Sequence, residues 1–359
     1  MAGNLVFVML GKRDFRSGGY IFNFRMAEYL ESLGHHVDVI HFRTVPPGLP
    51  GNWYRASRYI CRRILELDPD LVIVSKSYQY MPLFRVSPLS GRIPVLYLMH
   101  HLEWMDSASR MKAFMYRTYV RWLLGMADTV WVNSASTERA LRENGIPASR
   151  ARVISPGFEK TPAPPPDRAG RTGPVRLLCV GSVSPRKAQH VLVRACGLLE
   201  KERFILEIAG SVTADEDYAS EVELLISSLG LEDRVTMSGN LDRRELEDAY
   251  RRADILVHPA SWEAFGMSIL EGMWQGLPVV AADVAAIPEL VRDGENGLLV
   301  EPGSVAALAK GVRHLMDNRE KRLEMGARSR ELAADMNDWN DTCSDFAELV
   351  EDLLKGCAR

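Results

Sequence analysis

The chain has 359 residues, of which 47% are hydrophobic and 25% are charged, and this composition is ordinary for a globular protein. The length suggests two domains, and no apolar run is long enough to span a bilayer. The five cysteines are scattered without a CxxC spacing, which argues against a zinc site or a disulfide framework and predicts a cytoplasmic location.

Charge is distributed unevenly along the chain. Residues 1–160 carry 21 basic and 13 acidic side chains, so this part has a net charge of +8, whereas the whole chain has a net charge of −3. The remainder therefore carries −11, from −3 minus +8. This asymmetry predicts that the first part meets an anionic partner.

A βαβ pattern opens the chain and predicts a parallel α/β sheet. Its parts are a strand at residues 5–10, a loop at 11–19, a helix at about 20–33 and a strand at 36–41. Gly18 and Gly19 allow a backbone to approach a ligand closely at the start of the helix. A plain turn explains the two glycines about as well, and the GxGxxG fingerprint of dinucleotide-binding proteins does not occur here.

Two basic helices follow, at residues 53–67 and 109–125. In the second, Arg110, Arg117 and Arg121 fall on one face at helical spacing, beside Met111, Met115 and Trp122. This pattern indicates either an anionic membrane surface or acceptor-anion site, or a core helix whose arginines extend to water.

Predicted strands at 71–74, 94–99 and 130–133 continue the first sheet, and His100-His101 follows the second of them. A polar residue just past the carboxyl end of a parallel strand lies where open α/β sheets bind ligands. His100 is therefore a candidate site residue, with His101 as the alternative.

The proline-rich and glycine-rich segment 161–174 predicts a linker between two domains. The βα alternation then restarts, with strands predicted at 176–180, 204–209, 235–238, 254–257 and 278–281. We therefore divide the chain into an N-terminal domain at 1–160, the linker at 161–174, a C-terminal domain at 175–336 and a last helical segment at 337–359.

Gly181, Arg186 and Lys187 lie between a predicted strand and a helix. A glycine at a strand exit admits a ligand, and adjacent cations then face the negative charge of that ligand. Such cations stabilise the charge that grows on a departing phosphate during transfer of a group from a nucleotide. Two solvated surface cations are the alternative.

The stretch from His258 to Gly276 combines a strand end, a turn carrying Glu263 and a helix predicted to open at Ala264-Phe265-Gly266. The helix N-terminus favours an anion, but a carboxylate beside it repels a phosphate. The two acids, Glu263 and Glu271, make sense if they bind hydroxyl groups, which a nucleotide sugar carries at both ends. An amphipathic helix with a solvated glutamate is the alternative.

The acid-x7-acid spacing, with Phe-Gly after the first acid, resembles the signature of the family 4 retaining glycosyltransferases. Other family motifs occur in the expected order: Gly18-Gly19, His100, Pro156 to Phe158, Gly181 with Arg186-Lys187, Gly210, Ser238-Gly239, Pro288-Glu289 and Gly294 to Gly297. The resemblance covers nearly the whole chain and implies an α/β GT-B fold, with two Rossmann-like doubly wound domains facing each other across a cleft. It also implies that the last helix crosses back to the first domain.

The resemblance implies a role for each matching residue. Arg186 and Lys187 bind the donor diphosphate, together with the N–H groups of Ser268 and Ile269. Glu271 binds the ribose hydroxyls. Glu263 binds the donor sugar, and His100 lies near that sugar. The implied catalytic residues are His100, Arg186, Lys187 and Glu263, and the implied donor-binding residues are Gly18, Gly19, Gly181, Ser182, Gly239, Phe265, Gly266, Met267, Ser268, Ile269 and Glu271.

The sequence thus predicts a retaining, metal-independent hexosyltransferase. It uses a UDP- or GDP-sugar as co-substrate and needs no cofactor or nucleic acid. The acceptor stays open among a glycan, a lipid-linked sugar and a small molecule, with an anionic acceptor as one option. The predicted location is cytoplasmic, with a peripheral site at the inner membrane face as an alternative. The alternatives are a GT-B-fold nucleotide-sugar epimerase and a non-catalytic subunit that binds nucleotide sugars.

Overall fold

A computed structural model describes residues 2–10, 18–42, 50–75, 93–102, 110–125, 127–145, 148–162, 164–200 and 203–357. The chain forms two compact units. The first consists of Met1–Gly157 with Asn337–Arg359, and the second of Phe158–Met336.

Strands and helices alternate through both units. The strands are β1 (Asn4–Leu10), β2 (His36–Phe42), β3 (Leu71–Ser75), β4 (Val95–Met99), β5 (Thr129–Val132), β6 (Ala151–Val153), β7 (Val175–Val180), β8 (Phe204–Ala209), β9 (Val235–Gly239), β10 (Ile255–His258), β11 (Val279–Ala282) and β12 (Gly297–Val300). The helices are α1 (Gly18–Ser32), α2 (Pro50–Leu67), α3 (Arg110–Leu124), α4 (Ala135–Glu143), α5 (Gln189–Cys196), α6 (Glu216–Ser228), α7 (Arg243–Arg252), α8 (Met267–Trp274), α9 (Ile287–Leu290), α10 (Val305–Asp317), α11 (Arg319–Ala334) and α12 (Trp339–Cys357).

The first unit contains a six-stranded sheet in the order β2-β1-β3-β4-β5-β6, and its strand pairs are parallel. Side chains of β1 and α1 meet in its core. On β1 these are alternate residues, and on α1 they recur every four residues, which are the periods of a strand and a helix. The buried members are Leu5, Phe7 and Met9 of β1 and Phe22, Met26 and Leu30 of α1.

The last helix, α12, belongs to the first unit although it follows the whole second unit in sequence. Its Phe346 and Val350 are fully buried in the same core cluster as Phe22. The Thr342 hydroxyl donates to the Ser155 carbonyl at 2.9 Å. Burial of these apolar side chains fixes α12 against the first sheet.

The second unit contains a six-stranded sheet in the order β12-β11-β10-β7-β8-β9, with parallel pairs. Helices α5, α6 and α10 contribute to one core cluster and α7, α8 and α9 to the other, while α11 contributes to both, through Met325 and Ala333. Both units are therefore Rossmann-like α/β units, as the βα alternation predicts.

The proline-rich segment 161–174 has neither helix nor strand in its described residues, but it is fastened to the second unit. Arg168 is 9% exposed and donates to the carbonyls of Ala253 at 2.7 Å, Gln275 at 2.8 Å and Tyr250 at 3.1 Å. One guanidinium therefore satisfies carbonyl groups at the ends of both α7 and α8. The units divide between Gly157 and Phe158, so the segment lies within the second unit.

No helix among the described residues is both long and apolar enough to cross a membrane.

Candidate active site

A cluster of charged side chains in the second unit joins two segments that are 76 residues apart. The Lys187 ammonium lies 2.5 Å from Glu263 Oε2, and the Arg186 guanidinium lies 3.9 Å from the same oxygen. His258, which is 2% exposed, places its Nε2 3.0 Å from that oxygen as well. The contacts described for the Glu263 side chain therefore all fall on one carboxylate oxygen, Oε2.

Two loops hold these side chains together. Arg186 and Lys187 lie in a short 3-10 turn, and Glu263 lies in the turn between β10 and α8. The Arg186 carbonyl accepts from the Ser261 N–H at 2.9 Å and from its hydroxyl at 3.1 Å, while the Arg186 guanidinium donates to the Trp262 carbonyl at 3.1 Å. This reciprocal pairing locks one turn against the other.

Ala188 ends the cationic turn in a left-handed conformation, with φ at +52°. Such a backbone costs a residue other than glycine roughly 1 kcal/mol or more and persists only where the surroundings enforce it. Here Gln189, which is fully buried, donates from Nε2 to the Ser182 carbonyl at 3.0 Å and pins the loop. The strain falls directly after the two cations that the loop positions.

The surroundings shift the pKa values of the buried pair. Burial by itself would raise the pKa of Glu263, but Lys187, the hydrogen bond from His258 and Arg186 together hold it well below the ordinary value. Burial and then Lys187 lower the pKa of His258, and Glu263 offsets this only in part. At neutral pH the cluster therefore holds an ionised carboxylate and a neutral imidazole.

Three neighbouring strands of the second sheet each end in a glycine. Gly181, Gly210 and Gly239 follow or close β7, β8 and β9, with φ values of +148°, +152° and +67°. A Cβ on Gly210 would collide with the Gly181 carbonyl, whereas a Cβ on Gly239 would meet open space. Because glycine has no side chain, these positions form a glycine ledge, a row of partly exposed backbone beside the cationic turn, and the Lys187 side chain lies over it at Gly181.

The first turn of α8 is only partly buried. Phe265 and Ile269 are buried in the core, while Met267 and Ser268 are partly exposed. Gly266, with φ at +103°, is the N-cap, and its carbonyl accepts from the Ile269 N–H at 2.9 Å. That N–H is therefore engaged within the turn, whereas Ser268 holds one of the first-turn N–H groups that have no acceptor inside a helix.

The same left-handed glycine explains why α8 begins at Met267 rather than at residues 264–266. A residue at φ above zero interrupts a right-handed helix, so Gly266 closes the preceding turn and the helix starts after it. The predicted helix therefore starts slightly too early.

Glu271 lies on α8, one turn after the N-terminus. The Tyr250 hydroxyl donates to its Oε2 at 2.9 Å. Burial raises the pKa of Glu271, and the hydrogen bond from Tyr250 and the charge of Arg243 lower it only in part. This carboxylate is therefore poorly solvated and gains from further hydrogen-bond donors, such as ligand hydroxyls.

In the first unit, the predicted residues Gly19 and His100 lie together at the carboxyl edge of the sheet. A Cβ on Gly19 would lie 3.0 Å from the His100 ring. His100 Nε2 is 2.9 Å from Asn23 Oδ1, and the Asn23 amide donates to Ser75 at 2.6 Å. This hydrogen-bond network orients the imidazole. Gly18 is exposed at the start of α1, and the loop at 11–17 lies outside the described residues.

The structure thus brings the predicted residues together within each unit. Arg186, Lys187 and Glu263 form one cluster in the second unit, beside the glycine ledge. Sequence reasoning missed four residues that hold these groups in place: Asn23, Gln189, Tyr250 and His258. His258 had a visible signal, since it is a polar residue at the end of an apolar strand; the other three lie within helices and have none.

No group of three or more His, Cys, Asp or Glu side chains with metal-binding geometry occurs among the described residues.

Two family models match the chain. The model for "Glycosyl transferases group 1" matches residues 166–332, and the model for "Glycosyl transferase 4-like domain" matches residues 35–157. The chain belongs to the family 4 glycosyltransferases. The predicted family is therefore confirmed, and both turns of the charged cluster lie within the first of these matches.

Curated relatives of this glycosyltransferase-family chain include two kinds of enzyme. A D-inositol 3-phosphate glycosyltransferase of Nocardia farcinica is 31% identical over 239 residues, which cover 63% of this chain and 53% of the relative. A glycogen synthase of Mycobacterium tuberculosis is 30% identical over 243 residues, which cover 66% of this chain and 56% of the relative. The matches thus span about half the length of these relatives.

Solved structures share the fold of this family member over nearly its whole length. A sucrose-phosphate synthase from Thermosynechococcus elongatus superposes with a TM-score of 0.85 at 21% identity, covering 98% of this chain and 99% of that one. The Anabaena protein HepE, in complex with UDP-glucose, superposes with a TM-score of 0.78 at 21% identity, covering 98% and 100%. The GT-B fold class predicted from sequence is confirmed.

Proposed function

We propose that the protein transfers a hexosyl group from a nucleoside-diphosphate sugar to an acceptor, with retention of anomeric configuration and without a metal ion. One observation carries the proposal: Arg186, Lys187 and Glu263 meet in a single buried cluster, beside a glycine ledge and a helix N-terminus. This combination offers cations to a diphosphate and carboxylate oxygens to hydroxyl groups.

The cations act on the leaving group. In the proposed reaction, the bond from the anomeric carbon to the diphosphate oxygen breaks while the acceptor oxygen bonds to the same face of that carbon. The acceptor proton passes to the departing phosphate. Lys187 and Arg186 stabilise the charge that grows on the diphosphate, and so supply the positive charge that a metal ion supplies in other transferases.

The carboxylates recognise hydroxyl groups of the donor. The partners described for Glu263 lie on Oε2, and we assign its Oε1 to a hydroxyl of the donor sugar. Glu271, held through Oε2 by Tyr250, accepts from the ribose hydroxyls. Gly181, Ser182, Gly239 and the first turn of α8 provide backbone for the rest of the donor.

For the first unit we propose Gly18, Gly19 and His100 as ligand-binding residues. The fixed His100 ring offers polar recognition of a sugar, and Gly19 lets backbone come close. Structural relatives solved with UDP, or with UDP-glucose, support a uridine nucleotide as the first donor to test.

A donor panel tests the proposal. The purified protein is screened by thermal shift against UDP- and GDP-hexoses, and each stabilising donor is then followed by NMR for release of nucleoside diphosphate and for the configuration of the product. We expect one donor to raise the melting temperature and to be hydrolysed slowly to the α-anomer without acceptor, unaffected by EDTA. Conversion of the donor into its epimer would establish an epimerase instead, and binding without any turnover would indicate a non-catalytic subunit.

A further inference from the structure

Helix α3 in the first unit exposes apolar side chains on the face opposite the core of that unit. Val120 and Leu124 are buried and form the inner face. Met111 lies nine residues before Val120, which is two and a half helical turns, and therefore on the opposite side. Met111 is 69% exposed and Met115, one turn further along, is 63% exposed. The helix is therefore apolar on both faces, although only one face has a core to cover it.

The outward stripe continues along the helix. Phe114 is 58% exposed and follows Met111 by three residues, and Trp122 is 40% exposed and follows Met115 by seven, so helical spacing places both beside the Met111–Met115 row. Monomeric proteins expose single apolar residues routinely, but a contiguous run of this kind marks a binding surface.

Positive charge borders this stripe. Arg117 and Arg121, which are four residues apart and exposed, lie along one side of it, and the sequence of α3 contains no acidic residue. The Arg117 guanidinium lies 5.8 Å from the centre of the Phe114 ring, so the cationic row and the apolar stripe are in contact. An apolar surface bordered by arginines complements a partner that has an apolar interior beneath a negatively charged surface layer.

The sheet topology locates this surface. Helix α3 connects β4 to the parallel strand β5, so its first turns lie toward the edge of the sheet where β4 ends and where His100 follows. The most exposed residues, Met111, Phe114 and Met115, belong to these first turns.

We propose that the outer face of α3 binds an anionic lipid bilayer, with the helix lying in the plane of the membrane interface. Met111, Met115 and Trp122 enter the boundary between head groups and acyl chains, and Arg117 and Arg121 contact lipid phosphates. This inference does not depend on the proposed sugar transfer, but it places the carboxyl edge of the first sheet near the membrane.

The experiment is flotation of the full chain with two kinds of vesicle, pure phosphatidylcholine and phosphatidylcholine with phosphatidylglycerol. We expect binding to the anionic vesicles only, and the binding should weaken as salt is added. The double variant Met111→Ser/Met115→Ser should reduce the partition coefficient at least tenfold, and Arg117→Gln should flatten its dependence on salt.

A matched control removes equal apolar surface elsewhere. Leu198 and Leu224 of the second unit are 53% and 71% exposed, and Leu198→Ser/Leu224→Ser should bind vesicles as the wild type does. Circular dichroism and UDP binding are measured for every variant, so that loss of the fold or of the donor site is recognised separately.

Equal recovery with neutral and anionic vesicles, or undiminished binding by the methionine variant, would overturn the proposal. If the wild type is a dimer that does not bind vesicles and the methionine variant is a monomer, a second copy of the chain covers this face instead.

Discussion

The ion pair between Lys187 and Glu263 makes a quantitative prediction for stability. The two side chains are 13% and 11% exposed, and the pair is 2.5 Å apart. Replacing Glu263 with Gln keeps the shape of the side chain but leaves a buried ammonium without its counter-charge, next to Arg186 and His258. Because both side chains are buried, this substitution should reduce the stability of the fold as well as the activity.

The expected cost follows from the burial. Removing one partner of a buried ion pair typically destabilises a protein by about 3–5 kcal/mol, most of which is the penalty for the unpaired charge. The second unit, Phe158–Met336, has 179 residues (336 − 158 + 1), and for a domain of that size each kcal/mol lowers the melting temperature by about 2–4 °C. Glu263→Gln should therefore melt about 6–20 °C below the wild type.

A double-mutant cycle isolates the pair. Urea unfolding is measured for the wild type, Glu263→Gln, Lys187→Met and the double variant. The double variant leaves neither charge of the pair without its partner. Its loss of unfolding free energy should therefore be smaller than the sum of the two single losses by about 2 kcal/mol or more.

An exposed pair serves as the control. Arg203 and Asp317 are 42% and 45% exposed, so Asp317→Asn should cost less than about 1 kcal/mol. Donor hydrolysis should be lost in both single variants and in the double variant, because both groups are proposed to contact the donor. Activity should therefore not recover in the double variant, whereas part of the stability should. Additive effects in the cycle, or a Glu263→Gln variant that melts with the wild type, would refute the coupling.

The lowered pKa of Glu263 gives this contribution a pH dependence. A carboxyl whose folded pKa lies below its unfolded pKa stabilises the fold at pH values above the unfolded value, here about 4.5, and the contribution is lost as the pH falls toward the folded pKa. The stability gap between wild type and Glu263→Gln should therefore be constant near neutral pH and shrink below about pH 4.5. A gap that stayed constant in acid would contradict the assignment of the charge to Glu263.

Three further variants test the rest of the site. Because burial raises the pKa of Glu271, calorimetry should find that binding of UDP-glucose, whose diphosphate diester stays ionised in this range, weakens in the wild type as the pH falls from neutral into acid, but depends less on pH in Glu271→Gln. Gly210→Ala, which places a Cβ against a neighbouring carbonyl, should lose about 1–3 kcal/mol in urea unfolding, whereas Gly170→Ala, which meets open space, should be neutral. Arg168→Lys leaves buried carbonyl groups without donors and should lower the unfolding free energy by about 2 kcal/mol or more. The control Arg313→Lys, at an exposed arginine, should lower it by less than about 0.5 kcal/mol. Equal melting temperatures for the two variants would contradict the role of Arg168.

Local sequence determined the secondary structure because hydrophobic period, glycine and proline act over a few residues. The alternation of apolar strands and helices predicted both parallel sheets, and the order of motifs predicted the family. The sequence also indicated the positions of special glycines. The family resemblance includes Gly181, Gly210 and Gly239, and in the structure these lie at the ends of three adjacent strands.

Only the tertiary structure decided which side chains meet. Lys187 reaches Glu263 because β7 and β10 are neighbours in register, with Ile255 beside Leu177, and because a left-handed Ala188 ends the cationic turn. No pattern in the chain encodes a contact across 76 residues, since it depends on strand order and loop geometry together.

Burial was also decided by tertiary packing. Phe265 is buried in the core, the Gly266 carbonyl accepts from the Ile269 N–H, and Arg168 fastens the proline-rich segment 161–174 to the second unit. Whether a polar group is available to a ligand depends on the acceptors around it in space, and these come from parts of the chain that are distant in sequence.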